Sequence, residues 1–346
     1  MKLKLIALAV SAAAAGAVSA QTANVTLYGL VDTYVANVRT SAGRTAAGAA
    51  TASASVSVVD PGGLSGSRWG LRGSESLGGG LNAVFTLEGG INSDAGSAAQ
   101  SGLLFGRQAF VGVSGGFGAV TLGRQYSPSF YVFCAATVES CSTFSVEANH
   151  YVLPLTGASR VNNSVNFKSA SMGGLTVAAM YGFGEIAGGA SRGRLVGFNG
   201  EFSNGPIYLG AALVDVKNAT GGLAGRHMVV GGRYNAGVAT VAGAYVENKN
   251  PAPTPKFKGW HLGVNVPMGN VGLVAQYGQG KVGAAKQNLF GVGADYNLSK
   301  RSNLYVRYAN ADNNAASNIN AAGFGGVAQS FGADKRIIAA GIRHRF

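Results

Sequence analysis

The chain of 346 residues carries 27 Lys and Arg against 14 Asp and Glu, a formal charge of +13, yet only 12% of it is charged and 47% is hydrophobic. That charged fraction is about half of what a soluble globular domain carries, so something other than water must cover much of the surface. The 55 glycines follow no three-residue period, which excludes collagen, and with 8 prolines they speak against long helices.

Residues 1–20, "MKLKLIALAVSAAAAGAVSA", place Lys2 and Lys4 before an unbroken apolar and small-residue stretch that ends on Val18-Ser19-Ala20. This is the pattern of a secretory signal peptide cut after Ala20, leaving residues 21–346 as one domain. In an exported chain a basic balance argues against nucleic acid and for anionic solutes or anionic lipid. After Ala20 no stretch approaches the ~18 consecutive apolar residues of a membrane-spanning helix.

The rest of the chain alternates. "VTLYGLVDTYV" sets Val25, Leu27, Val31 and Val35 on one face and Tyr28, Asp32 and Tyr34 on the other, the period of a strand. In "SRWGLRGSE", Arg68 and Arg72 alternate with Trp69 and Leu71, and Gly70 and Gly73 would each cost a helix about 1 kcal/mol. Further along, Trp260 and Leu262 oppose His261, Phe290 and Val292 share a face opposite Asp295, Leu304 and Val306 oppose Tyr305 and Arg307, and Ile338 and Ile342 oppose Lys335 and Arg343. Sixteen such strands are expected, beginning near residues 24, 67, 81, 104, 118, 160, 175, 194, 206, 226, 238, 258, 271, 287, 303 and 335.

Short connections such as Gly78-Gly79-Gly80, Ser203-Asn204-Gly205 and Met268-Gly269-Asn270 take turns with long ones, Arg39 to Gly66, Tyr126 to Ser159, Asn248 to Lys258 and Ala311 to Asp334. Short turns on one side and long loops on the other belong to an all-β, 16-stranded antiparallel transmembrane β-barrel of the bacterial outer membrane. The Ala/Ser-rich run Ala46 to Val59 falls in its first long loop. Hydrocarbon satisfies no backbone N–H or C=O, so a spanning sheet must close on itself. Sixteen strands leave an aqueous lumen, whereas a soluble sandwich would need a second sheet to cover these apolar faces.

On the faces opposite the apolar ones lie Arg68, Arg72, Arg107, Arg160, Lys168, Arg233, Arg307, Arg343 and Arg345, against Asp32, Glu88, Glu201 and Asp295. Such an excess in a narrow channel with low-dielectric walls favours anions. Arg124 breaks the parity of Val120 and Leu122 and is placed at the start of the long connection after it. Cys134 and Cys141, seven apart in an oxidising compartment, favour a disulfide, with two free thiols as the alternative. "GQGKVG", Gly278 to Gly283, matches G-x-G-x-x-G but leads into another alternating strand, so no nucleotide site is expected. The four histidines, His150, His227, His261 and His344, are scattered, and nothing marks a Ser–His pair, so no metal, cofactor or enzymatic activity is expected.

"VTLYGLVDTYV", "SRWGLRGSESLGGGLNAVFTLEGG", "FGRQAFVGVSGGFGAVTLGRQY", "RVNNSVNFKS", "MYGFGE" and "GIRHRF" span nearly the whole chain after Ala20. In this order they resemble the general diffusion porins of the Gram-negative outer membrane, most closely the β-proteobacterial branch. The resemblance implies a homotrimer seated in outer-membrane lipid and lipopolysaccharide, with the third long loop folded into the pore. It implies a basic wall at the constriction, carried onto Arg68, Arg107 and Arg160, with Arg72 and Lys168 on the same faces. Facing it would be acidic groups of the inserted loop, Tyr126 to Ser159, whose carboxylates are Glu139 and Glu147. The Pro-Glu-Phe-Gly-Gly motif of the enterobacterial loop is absent, and Cys134 and Cys141 stand in that loop instead. The expectation is a water-filled channel for small hydrophilic solutes, anionic or neutral, that prefers anions. Its rivals are an adhesin or receptor barrel with a closed lumen and a substrate-specific channel.

Overall fold

The computed structural model describes residues 24–146, 149, 159–249, 251 and 255–346. The expected signal peptide, Glu147 and His150 lie outside these residues.

The described residues form a closed antiparallel barrel of sixteen strands. They are β1 (Asn24–Thr40), β2 (Arg68–Gly78), β3 (Leu81–Asn92), β4 (Gln108–Gly115), β5 (Gly118–Tyr126), β6 (Arg160–Ser169), β7 (Leu175–Gly182) and β8 (Leu195–Asn204). The second half is β9 (Ile207–Lys217), β10 (Leu223–Asn235), β11 (Thr240–Lys249), β12 (Phe257–Met268), β13 (Val271–Val282), β14 (Ala285–Asn297), β15 (Ser302–Asn313) and β16 (Lys335–Arg345). Each strand pairs with the next, and β16 returns to β1, from Leu30 opposite Arg345 to Thr40 opposite Lys335. Beyond β16 the seam continues: the Gly29 and Phe346 backbones exchange two hydrogen bonds of 3.1 and 3.0 Å.

Alternation decides which side is which. Val25, Leu27 and Val35 point outward and are 56–60% exposed, whereas Asp32, Tyr34 and Val38 on the same strand point inward and are buried. Water would make that outer face unfavourable; hydrocarbon makes it the covered surface. The tightest turns run through glycines whose φ is positive, +83°, +59° and +79° at Gly78, Gly79 and Gly80, a region other residues enter at a cost.

Strand starts agree with the sequence reading to within four residues, the widest gap being β4, which begins at Gln108 rather than near 104. One long connection differs from the reading, and another has a path that the reading did not assign. Ala54–Pro61, expected inside the first loop, is a strand paired with the outer half of β1, from Thr33 opposite Pro61 to Thr40 opposite Ala54. With β2 it makes one interrupted stave, broken by an excursion over residues 62–67. The last long connection folds into the lumen: Ala321 and Phe324 are buried there against Val38, Phe144, Tyr305 and Ile337, and Ile319 is buried as well. The apolar core of this protein is therefore where loops fold back into the barrel, each buried Phe there contributing about 1.5–3 kcal/mol.

Candidate channel constriction

The inserted loop enters the lumen through helix α1 (Pro128–Ala135). Ser127 caps it, its Oγ accepting from Phe130 N at 3.3 Å, and Pro128 opens it, a start that leaves few orphan donors. Val132, Phe133 and Ala136 bury against Tyr208, Ala212, Val229 and Ala244 of the facing wall. That wall is shaped to take the loop. A Cβ added at Gly210 would lie 2.9 Å from Val132, at Gly231 2.5 Å from Ala136, at Gly263 2.6 Å from Val138 and at Gly278 2.5 Å from Val146. Inward-facing glycines on β9, β10, β12 and β13 thus form a trough in which the loop lies.

Polar contacts hold it along the same course. His261 Nε2 stands 3.2 Å from Ala136 O. The buried Glu139 carboxylate accepts from Arg307 Nε at 2.6 Å, Gln276 Nε2 at 2.6 Å and Ser142 Oγ at 3.0 Å. Arg307 also reaches Asp295 at 3.1 Å, and Gln276 Oε1 accepts from Val146 N at 3.0 Å. Within the loop Cys134 and Cys141 are joined in a disulfide.

Across the lumen, residues 62–67 form a second lip. Asp32, wholly buried, accepts from Leu64 N and Ser65 N, each at 2.8 Å, and from Tyr305 Oη at 2.6 Å. The lip touches the inserted loop, Thr143 N donating to Gly63 O at 2.9 Å.

Between loop, lip and the wall of β2 to β6 lies a cavity of about 810 Å³. Arg68, Arg107, Arg124 and Arg160 line it with Tyr126, Tyr131, Cys134 and Cys141, and among the described residues no carboxylate does. Of the residues expected at the constriction, Arg68, Arg107 and Arg160 are therefore together. Arg107 donates to Glu88 at 2.8 Å and to Tyr126 Oη at 2.7 Å. Arg160 donates to the same hydroxyl at 3.2 Å and lies over the Tyr126 ring. Arg68 makes no ion pair or hydrogen bond among the described residues. Arg72 and Lys168 stand outside the cavity toward the short-turn side, over the rings of Tyr28 and Tyr131.

Glu139 is not where the resemblance would put an acidic partner. It belongs to the loop, but its carboxylate is turned away from the arginines of the cavity and consumed by Arg307, a residue 168 positions away. Arg124 is likewise misplaced by counting. It sits in β5, not at the loop's start, because Gly123 takes a φ of +132° and the partner strand shifts register between Val161 and Ser164, which breaks the period of two. The residues that sequence reading passes over are the trough glycines and Gln276. Their only signal, glycine on inward positions of neighbouring strands, requires the register of the whole wall from β9 to β13.

The Gram-negative porin family matches residues 7–316. Outer membrane porin protein 32 of Delftia acidovorans is 37% identical with both chains covered fully. An outer membrane porin protein of Bordetella pertussis is 30% identical, again over the whole of both. Among solved structures, an anion-selective porin from Comamonas acidovorans superposes with a TM-score of 0.80 at 32% identity, covering 94% of this chain and 100% of that one. OmpT of Vibrio cholerae, at 17% identity and a TM-score of 0.67, covers 94% of this chain and 98% of its own and shares the fold. The chain belongs to the Gram-negative porin family, the multi-pass β-barrels of the outer membrane.

Proposed function

We propose that this porin is an anion-preferring diffusion channel whose selectivity is set in the arginine-lined cavity. The observation that carries the reading is the lining itself: four guanidinium groups and, among the described residues, no carboxylate. Arginine keeps its charge at every relevant pH and offers a planar donor fork to carboxylate and phosphate groups. Rings of such side chains in a narrow aqueous passage raise the local anion concentration, and contacts of this kind are weak enough to release what they hold. The 32% identical Comamonas structure, described as anion-selective, supports the same reading. Small anionic and neutral hydrophilic solutes are the expected cargo, entering past Arg68, Arg107 and Arg160 and leaving past Arg72 and Lys168.

The test is the reversal potential of the purified protein in a planar bilayer under a salt gradient. An anion-to-cation permeability ratio well above one is expected, and a current carried mainly by cations would overturn the reading. We further infer a homotrimer, since a trimer form of OmpT exists with the same fold; native mass spectrometry in mild detergent giving only monomer would count against it.

A further inference from the structure

The Cys134–Cys141 disulfide is itself part of the cavity's lining. Both cysteines border the space that Arg68, Arg107, Arg124 and Arg160 border, and both are partly exposed rather than buried. Next to them Ser140 is exposed, and Ser140 and Cys141 take φ of +49° and +60°, a region that residues with a Cβ enter at a cost. The bond is therefore open to the lumen, among cations and, of the described residues, no carboxylate.

A disulfide is opened by a thiolate, and the rate rises with the thiolate's local concentration, with access, and with the stability of the thiolate that leaves. Guanidinium groups act on the first and the last. They gather anions in a narrow aqueous space, and an electropositive surround stabilises a cysteine thiolate. Arg68, without an ion pair or hydrogen bond among the described residues, is placed to meet an acid group carried by the incoming thiol. The cavity of about 810 Å³ is of the size that holds a small organic molecule. Both flanks of the bond are held from outside the ring it closes: Phe133 and Ala136 by the facing wall, Glu139 by Arg307 and Gln276. Opening the bond thus leaves the loop seated and keeps an adduct within the lining.

We propose that Cys134–Cys141 is a site of reversible thiolation, opened preferentially by small thiols that carry an acid group such as a carboxylate or sulfonate. The incoming thiolate gives its electron pair to one cysteine sulfur; a new S–S bond forms there as the Cys134–Cys141 bond breaks, and the other cysteine leaves as a thiolate. A second thiolate attacking the mixed disulfide leaves both cysteines reduced and joins the two small thiols as their own disulfide, the protons shed by those thiols passing to the cysteines through water. The proposal rests on the cavity's gathering of anions and goes beyond it. A mixed disulfide holds an anion covalently among the arginines, and so lowers the channel's preference for anions until exchange removes it.

To test it, the purified protein in a non-ionic detergent at low salt is exposed to 2-mercaptoethanesulfonate, to 2-mercaptoethanol and to the cationic thiol thiocholine. Timed samples are quenched with excess N-ethylmaleimide, and the opened fraction is read by intact-mass spectrometry. Each initial rate is expressed per thiolate and divided by the rate of the same thiol on a neutral cyclic peptide disulfide. The sulfonate should open the bond about tenfold faster than thiocholine, with 2-mercaptoethanol between them, and added salt should narrow the spread. Equal normalised rates overturn the proposal without recourse to any variant. Arg68→Ala should narrow the spread severalfold, whereas K281Q/K286Q, which removes two charges from the outward face that carries Tyr277 and Phe290, should leave it as it was. An undiminished spread in Arg68→Ala, or one lost instead in K281Q/K286Q, overturns the proposal too. The reversal potential of the untreated protein keeps the two readings apart: an anion-carried current together with equal thiol rates overturns this one and leaves the channel reading standing.

Discussion

The two walls of the lumen use the same residue type for opposite ends. On the wall of β2 to β6, Arg68, Arg124 and Arg160 have no carboxylate among the described residues and line the cavity, and Arg107 alone is paired. On the wall of β12 to β15, Arg307 is buried between Glu139 and Asp295, and its charge is spent on holding the inserted loop. Whether an inward arginine serves selectivity or architecture depends on whether the fold brings it an acid. A count of nine basic to four acidic lumenal groups in the sequence therefore measures the potential of the channel poorly, because it gives both walls equal weight.

The sharpest way to break this contrast is Arg307→Met. It leaves Glu139 buried without its cation, a loss of about 3–5 kcal/mol to the loop's seating. The expected result is noisy, flickering single-channel current with the heat-modifiable barrel intact; quiet current of unchanged size would mean that Arg307 does not hold the loop. Gly231→Val should act in the same direction more weakly, since its methyls would overlap Ala136 and overpacking of this kind costs about 1–3 kcal/mol. Conductance events of normal amplitude but raised variance are expected, and an identical trace would remove the trough from the account.

Arg68→Ala belongs to the other wall and should behave differently. Its permeability ratio for anions over cations should fall severalfold while the thermal transition stays where it was, a pattern the Arg307 variant must not share. A stable ratio would show that selectivity resides elsewhere in the lining. The smallest effect is expected from reducing Cys134–Cys141: closing so short a loop contributes about 2 kcal/mol, and packing and Glu139 already hold both flanks. Mild reductant should raise current noise slightly without altering the permeability ratio, which a bilayer recording before and after addition would resolve.

The barrel is legible in the sequence because lipid outside and water inside impose a period of two on every spanning strand, and the short turns are rich in glycine or asparagine. Residues 54–61 escape because their alternation is carried by small side chains, Ala, Ser and Val, which resemble loop composition. The arginines that line the cavity are largely legible too, apart from Arg124, where a glycine of positive φ and a register shift in the partner strand interrupt the alternation. The path of the inserted loop is not. It depends on glycines that become a surface only when β9 to β13 are in register, and on Glu139 meeting Arg307, a pairing that no local pattern records.

That last contact has a kinetic side. The trough glycines and Arg307 all come after the inserted loop in the chain, so the loop has neither its trough nor its buried cation until β9 to β15 have assembled around it, whereas the lip and β1 precede it. Contacts of such long sequence separation form slowly, because closure entropy must be met first. Seating of the loop in the trough is accordingly expected late in folding. A barrel caught before it would be wider and less discriminating than the finished channel, and the time spent in that state is a cost to the integrity of the membrane around it.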